Sequence, residues 1–180
     1  MHPDSRLRGF TTIEMLTAVT ILGVLLALAG PGFAPLLHRW RIHKAVEDLR
    51  SSLFLARSEA MRRGGRIVIQ KNTRNCSRRM LSDQWSCGWF IFVDSDGNGR
   101  WRNGEPVLAQ IPELDGVELS RSPRGDVLRF DRFGMVNGAN ITSFIFSPQA
   151  HGISHPASKA LCMAAGGRIR VIPQDALPCV

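Results

Sequence analysis

The sequence predicts an α+β protein: a long amino-terminal helix, apolar through its first half, followed by a mostly antiparallel β-sheet body. Three observations carry this reading. Residues 15–37 hold no charged side chain over 23 positions. Ile42, Val46, Leu49, Leu53, Ala56 and Ala60 then recur at steps of four and three, one face of an amphipathic helix. After Gly64-Gly65 the apolar period changes to two, with Gly, Pro and Asn clusters between the runs. One helix followed by a series of strands reads as α+β.

Each element has its own justification. The charge-free run exceeds the ~20 apolar residues a helix needs to cross a bilayer. It is too long for the ~7–15-residue apolar region of a secretory signal. A membrane segment is therefore expected. Glu14 stands at its amino edge, where a carboxylate in lipid is costly and calls for a partner. Gly30-Pro31-Gly32 and Pro35 interrupt the run, because proline removes a backbone donor and crowds the preceding turn. They predict a kink or local melting there. The stripe from Ile42 to Ala60 is read as packing against the protein's own body. Arg62-Arg63 suit the negative end of the helix dipole, and Gly64-Gly65 supply the stop. Candidate strands follow at 66–70, 88–93, 107–111, 117–120, 127–130, 141–147, 159–164 and 167–172.

The segment Arg6-Leu7-Arg8-Gly9-Phe10-Thr11-Thr12-Ile13-Glu14 resembles the leader and processing site of type IV pilins and type II secretion pseudopilins. The resemblance implies a prepilin peptidase cut between Gly9 and Phe10, with N-methylation of Phe10. It also implies that Glu14 pairs with a neighbour's amino terminus during filament assembly, and that Pro31 is the helix-kinking proline. A carboxylate and an ammonium meeting in low dielectric compensate one another's desolvation. Charges on the two flanks of the run leave orientation ambiguous: Arg6 and Arg8 precede it, while Arg39, Arg41 and Lys44 follow. The resemblance implies a cytoplasmic leader, one pass through the bacterial inner membrane, and a periplasmic body. The organisation is then a cleaved leader at 1–9, the membrane half of the helix at 10–37, its amphipathic continuation at 38–64 and a β-rich body at 65–180. Gly88–Asp94, Arg129–Gly134 and Gly167-Arg168-Ile169-Arg170 are similar to the GspH/FimT branch of this superfamily. That narrows the expectation to a minor pilin or minor pseudopilin, partnered by other pilins in a filament.

Four cysteines in a periplasmic body are expected as disulfides. Spacing favours Cys76–Cys87 and Cys162–Cys179, with all three connectivities open. Zinc has little support, since there is no C-x-x-C and no neighbouring histidine pair. Residues 94–105 fit the twelve-residue calcium pattern, with Asp94, Asp96, Asn98 and Glu105 as oxygen donors. A strand before the loop and Pro106 after it remove the EF-hand context, and Arg100 and Arg102 bring positive charge near any cation. A Gly/Asn/Asp hairpin loop is the favoured reading, with calcium as the alternative and no other cofactor expected. His151 and His155 are four apart, but Gly152 and Pro156 argue against a rigid helical pair. The chain holds no H-E-x-x-H, G-x-S-x-G or phosphate-binding loop. No enzyme is expected.

The 180 residues carry 23 Lys+Arg against 15 Asp+Glu, a net charge of +8. Such a charge admits nucleic acid, an anionic lipid surface or an acidic protein as partner. Arginine dominates the excess (Arg62, Arg63, Arg66, Arg74, Arg78, Arg79, Arg100, Arg102, Arg121, Arg124, Arg168 and Arg170), and its planar fork matches phosphate. On a strand Arg168 and Arg170 share one face at about 7 Å, comparable to successive phosphates, while Ile169 and Val171 share the other. In the FimT members of the branch a carboxy-terminal G-R-x-R motif binds DNA in natural transformation. Gly167, Arg168 and Arg170 match it, so the resemblance implies double-stranded DNA as a partner. The alternative is a purely structural minor pilin or GspH-type pseudopilin, whose arginines do not touch DNA.

Overall fold

The structure, a computed structural model, describes residues 10–29, 34–74, 76–77, 81–137, 141–164 and 166–179. These form two compact units divided between Leu37 and His38.

In the first unit, helix α1 (Thr12–Ala29) begins at a capping-box spacing, Thr11-Thr12-Ile13-Glu14. The Thr11 hydroxyl oxygen accepts from the Glu14 amide at 3.3 Å, satisfying one of the free donors of the first turn. Apolar residues lie on every side of α1. Ile13, Leu16, Val19, Leu22, Leu25 and Leu26 are each more than half exposed. Its 18 residues measure about 27 Å at 1.5 Å per residue. Among the described residues no helix is long and apolar enough to cross a membrane. The long helix expected over 10–64, with its kink or local melting near Pro31, is described as α1 and α2 (Ala34–Arg63). Pro31, the expected kink, and Gly9, the expected cleavage residue, lie outside the described residues, as do Arg78 and Arg79.

The second unit is built on α2 and eight strands. All six residues of the predicted stripe, Ile42 to Ala60, are buried. A buried hydroxyl accompanies them: Ser52 donates to the Asp48 carbonyl at 2.7 Å and accepts from the Trp89 indole at 2.9 Å. The helix ends where predicted, with Gly64 at φ 77° and the Gly65 amide on the Ala60 carbonyl at 2.7 Å.

The strands are β1 (Ile67–Lys71), β2 (Trp89–Val93), β3 (Val107–Ile111), β4 (Val117–Ser122), β5 (Val127–Phe130), β6 (Ile141–Pro148), β7 (Lys159–Ala164) and β8 (Ile169–Pro173). They form two antiparallel sheets, ordered β3-β2-β1-β5 and β4-β6-β7-β8. Inward residues of both sheets, among them Ile69, Ile91, Leu128, Phe144, Phe146 and Leu161, join the α2 stripe in one core. The segment before β2 stitches the sheets together: the Trp85 amide donates to the Leu119 carbonyl at 2.7 Å, and its buried indole donates to the Gly125 carbonyl at 3.0 Å. A second, small cluster of Ala160, Cys162 and Ile172 lies on the opposite face of the β4-β6-β7-β8 sheet, where Ile145, Leu177 and Cys179 pack against it.

All eight predicted strands are present, three with the predicted bounds and five shifted by one or two residues. Two shifts have a clear cause. Arg66 takes a left-handed backbone (φ 59°), so β1 starts one residue later than expected. Gly167 is left-handed as well (φ 74°) and closes the β7–β8 turn, its amide donating to the Ala164 carbonyl at 2.8 Å. Strand β8 therefore begins at Ile169, and Gly167 and Arg168 belong to the turn.

Candidate functional site

Strand β8 is an edge strand, and it carries the basic motif. Ile169 and Val171 pack against the main core, while Arg168 and Arg170 are exposed. Alternation thus places the two guanidiniums on one face, as expected, although Arg168 precedes the strand. Both line a depression of about 200 Å³ with Ile141, Cys162 and Ala164. Among the described residues neither has an acidic partner within ion-pair distance.

The motif is held from two sides. From α2, Arg57 donates through Nη1 to the Gly167 carbonyl at 3.2 Å. From the carboxy-terminal tail, Cys179 is joined to Cys162, with Cα atoms 5.7 Å apart, and Cys162 lies opposite Arg170 in the β7–β8 register. The second disulfide joins Cys76 to Cys87, Cα atoms 5.4 Å apart. Both separations are ordinary for a disulfide.

Other arginines of the basic excess are already engaged. Arg62 and Arg63 both pair with Glu59, at 2.7 and 2.6 Å. Those hydrogen bonds hold the Glu59 carboxyl below its ordinary range. Arg66 donates to the Ser95 carbonyl at 3.1 Å. Arg121 is buried, donates to the Val127 carbonyl at 2.9 Å and lies over the Trp85 ring; desolvation lowers its pKa. These residues were part of the predicted phosphate-facing set; burial removes Arg121 from it, while Arg62 and Arg63 remain exposed but share Glu59.

The loop between β2 and β3 joins antiparallel neighbours and so is a hairpin connection. It also brings one oxygen from each of Asp94, Asp96 and Glu105 within 4.8 Å of the other two. Asn98 is used otherwise: its Oδ1 accepts from the Arg100 amide at 2.6 Å, and its Nδ2 donates to Asp96 at 2.6 Å. The bond from the Asn98 amide is the main reason the Asp96 carboxyl sits below its ordinary range.

Two features escaped sequence reasoning. Lys71 is buried on the core side of β1, paired with Asp126 at 2.8 Å and donating to the Ser82 carbonyl at 2.9 Å. Alternation with Ile67 and Ile69 was the available signal. His38 of α2 meets His151 and His155, with ring centroids 5.1 to 5.6 Å apart. Nothing in the sequence linked His38 to the other two.

A helix laid against two antiparallel sheets, with two local disulfides and a basic edge strand, is a pilin-like architecture. The model of the family described as type II transport protein GspH matches residues 45–171, so the chain belongs to that family. A pilin-like protein, PilA1 of Thermus thermophilus, is 35% identical over 98 residues. The match takes in 54% of this chain and 55% of that relative, so the chain spans about half the relative's length. Two crystal forms of the type IV minor pilin FimU of Pseudomonas aeruginosa share the fold at 20% identity. Their TM-scores are 0.59 and 0.56, covering 80% and 76% of this chain and 97% and 96% of FimU. The chain is thus a member of the GspH family, a structural rather than enzymatic family, with the fold of a type IV minor pilin.

Proposed function

We propose that the chain is a FimT-type minor pilin, set into a type IV pilus, that holds extracellular double-stranded DNA for uptake in natural transformation. The observation that carries this is the pair Arg168 and Arg170, side by side at an exposed edge without an acidic partner among the described residues. Contacts of this kind go to phosphates and carry no sequence preference. Mobility-shift titration of the detergent-solubilised chain is the test. Affinity falls steeply with salt, and removing two phosphate contacts lowers the log–log slope by about 2. Arg168→Gln with Arg170→Gln weakens binding uniformly across sequences. Unchanged affinity in that double variant would remove the motif from the mechanism.

The amino-terminal reading belongs to the same proposal. Prepilin peptidase cuts after Gly9 and Phe10 is methylated, leaving a mature charge of +7. The apolar segment holds the subunit in the inner membrane, with the body in the periplasm. Glu14, which has no ion-pair partner among the described residues, then meets a neighbour's amino terminus. The apolar surface on all sides of α1 supports this, since water is a poor solvent for such a helix. Mass spectrometry of the filament-borne chain checks it: the expected mass lacks residues 1–9 and carries one added methyl group.

A second reading is a structural pseudopilin, favoured by the family match to a type II transport protein. Loss of filament or secretion function in the Arg168/Arg170 variant, with no DNA binding by the parent chain, selects it.

A further inference from the structure

We infer that the β2–β3 loop is a weak calcium site, with Asp94, Asp96 and Glu105 as its carboxylate ligands. Hairpin geometry alone accounts for most of the loop, and three acidic residues at a loop are common without a metal. The distinguishing observation is Asp94. It is 4% exposed, and its Oδ1 is buried with no hydrogen-bond partner, while Oδ2 accepts from the Gly99 amide at 2.8 Å. A buried carboxylate oxygen left bare is costly, and native structures rarely tolerate one without an ion or water. Asp94 belongs to the cluster in which one oxygen of each of the three carboxylates lies within 4.8 Å of the other two. Two oxygens on one calcium ion, each 2.3–2.6 Å from it, are separated by up to about 5 Å, so the cluster has calcium dimensions.

The sequence positions agree with this chemistry. Asp94, Asp96 and Glu105 are the first, third and twelfth residues of the loop, and Gly99 is the sixth. Gly99 takes φ 73°, the sharp turn that glycine supplies at this place in calcium loops. Both Glu105 oxygens already accept a backbone amide, from Ser95 and from Arg102, each at 2.8 Å. Those bonds fix the carboxylate facing the loop interior and leave each oxygen a further lone pair.

Arginines limit the affinity. Arg102 pairs with Asp96 at 3.3 Å and competes directly with a cation. Arg129 donates to the Asn98 carbonyl at 2.9 Å, and Arg66 to that of Ser95. With positive charge on the rim, the site belongs with weak extracellular modules that bind calcium at about 10⁻⁴–10⁻³ M. Magnesium, which gives up its water reluctantly and demands a near-ideal octahedron, is the weaker competitor expected at such a site.

The test uses the full chain in detergent micelles, stripped with chelator and titrated with calcium chloride. Terbium luminescence excited through Trp101, which lies inside the loop, reports occupancy of this site rather than of the surface. The expected results are one ion per chain, a higher melting temperature with calcium than with equal magnesium, and affinity lowered at least about tenfold by Glu105→Gln or Asp94→Asn. Arg102→Gln, which frees Asp96, tightens binding. Asp94→Asn keeps an oxygen for the Gly99 amide; should it fail to fold, Glu105→Gln and Arg102→Gln carry the decision. No saturable binding by the folded parent chain up to about 10 mM calcium overturns the inference. So does binding indifferent to Glu105→Gln and Arg102→Gln.

Discussion

The Arg57 guanidinium and the Gly167 carbonyl, 110 residues apart in sequence, are hydrogen-bonded at 3.2 Å. The bond joins the last turns of α2 to the turn that presents Arg168 and Arg170. A Cβ at Gly167 would lie 2.7 Å from Arg57 Nη1, and the residue's φ is 74°. The glycine of the G-R-I-R motif is thus required by its left-handed backbone, while a Cβ there would push aside the flexible end of Arg57.

Gly167→Ala therefore costs about 1–2 kcal/mol through the left-handed backbone, and displaces Arg57 as well. Chemical denaturation measures this. A variant as stable as the parent means the turn relaxes without loss, and the backbone requirement is wrong.

Lys71 and Asp126 respond unequally to removal. Lys71 is 5% exposed at the side chain and Asp126 53%. Asp126→Ala strands a buried ammonium with one remaining carbonyl partner and costs about 3 kcal/mol. Lys71→Met leaves a hydrated carboxylate and fills the space with apolar atoms, costing about 1 kcal/mol or less. Equal losses in paired urea melts contradict this asymmetry.

Replacing Cys162 and Cys179 by serine opens a loop of 17 residues and lowers stability by about 2–4 kcal/mol. Because the bridge holds the tail against β7 beside Arg170, proteolysis of the folded variant starts in the segment after Pro173. Protection equal to the parent's shows that the Leu177 and Ile172 packing suffices.

The histidine cluster makes stability fall in mild acid. His155 Nδ1 accepts from the Ala157 amide at 3.1 Å, a bond only the neutral ring can make. Partial burial first, then the nearby His151, His38 and Arg39, hold its pKa below the ordinary imidazole value. The unfolded chain thus binds the proton first. The stability His155 contributes is complete above about pH 6.5 and declines as pH falls from there through the folded value. Melting temperatures at pH 7.5 and 5.5 check this: the drop shrinks in His155→Gln, and an identical drop in parent and variant refutes the assignment.

Much of this molecule is legible in the sequence because its signals are local. Period-two runs and their glycine breaks located all eight strands, and the four-and-three stripe located the buried face of α2. Cysteine spacing favoured the two bridges that form, since chain segments of 11 and 17 residues meet readily. The same locality marked Gly167-Arg168-Ile169-Arg170 and the spacing of Asp94, Asp96 and Glu105. What tertiary structure decided are properties of a residue's surroundings. It buried Lys71 and Arg121, paired Arg62 and Arg63 with Glu59, and left Arg168 and Arg170 open at an edge. It brought His38 to His151 and His155, and set Arg57 against Gly167. It also left Asp94 Oδ1 buried and bare, which gave the loop a chemical meaning that spacing alone did not carry. Periodicity reports which face of an element is apolar; which charges lie free on the other face depends on partners distant in sequence, and only folding brings those together.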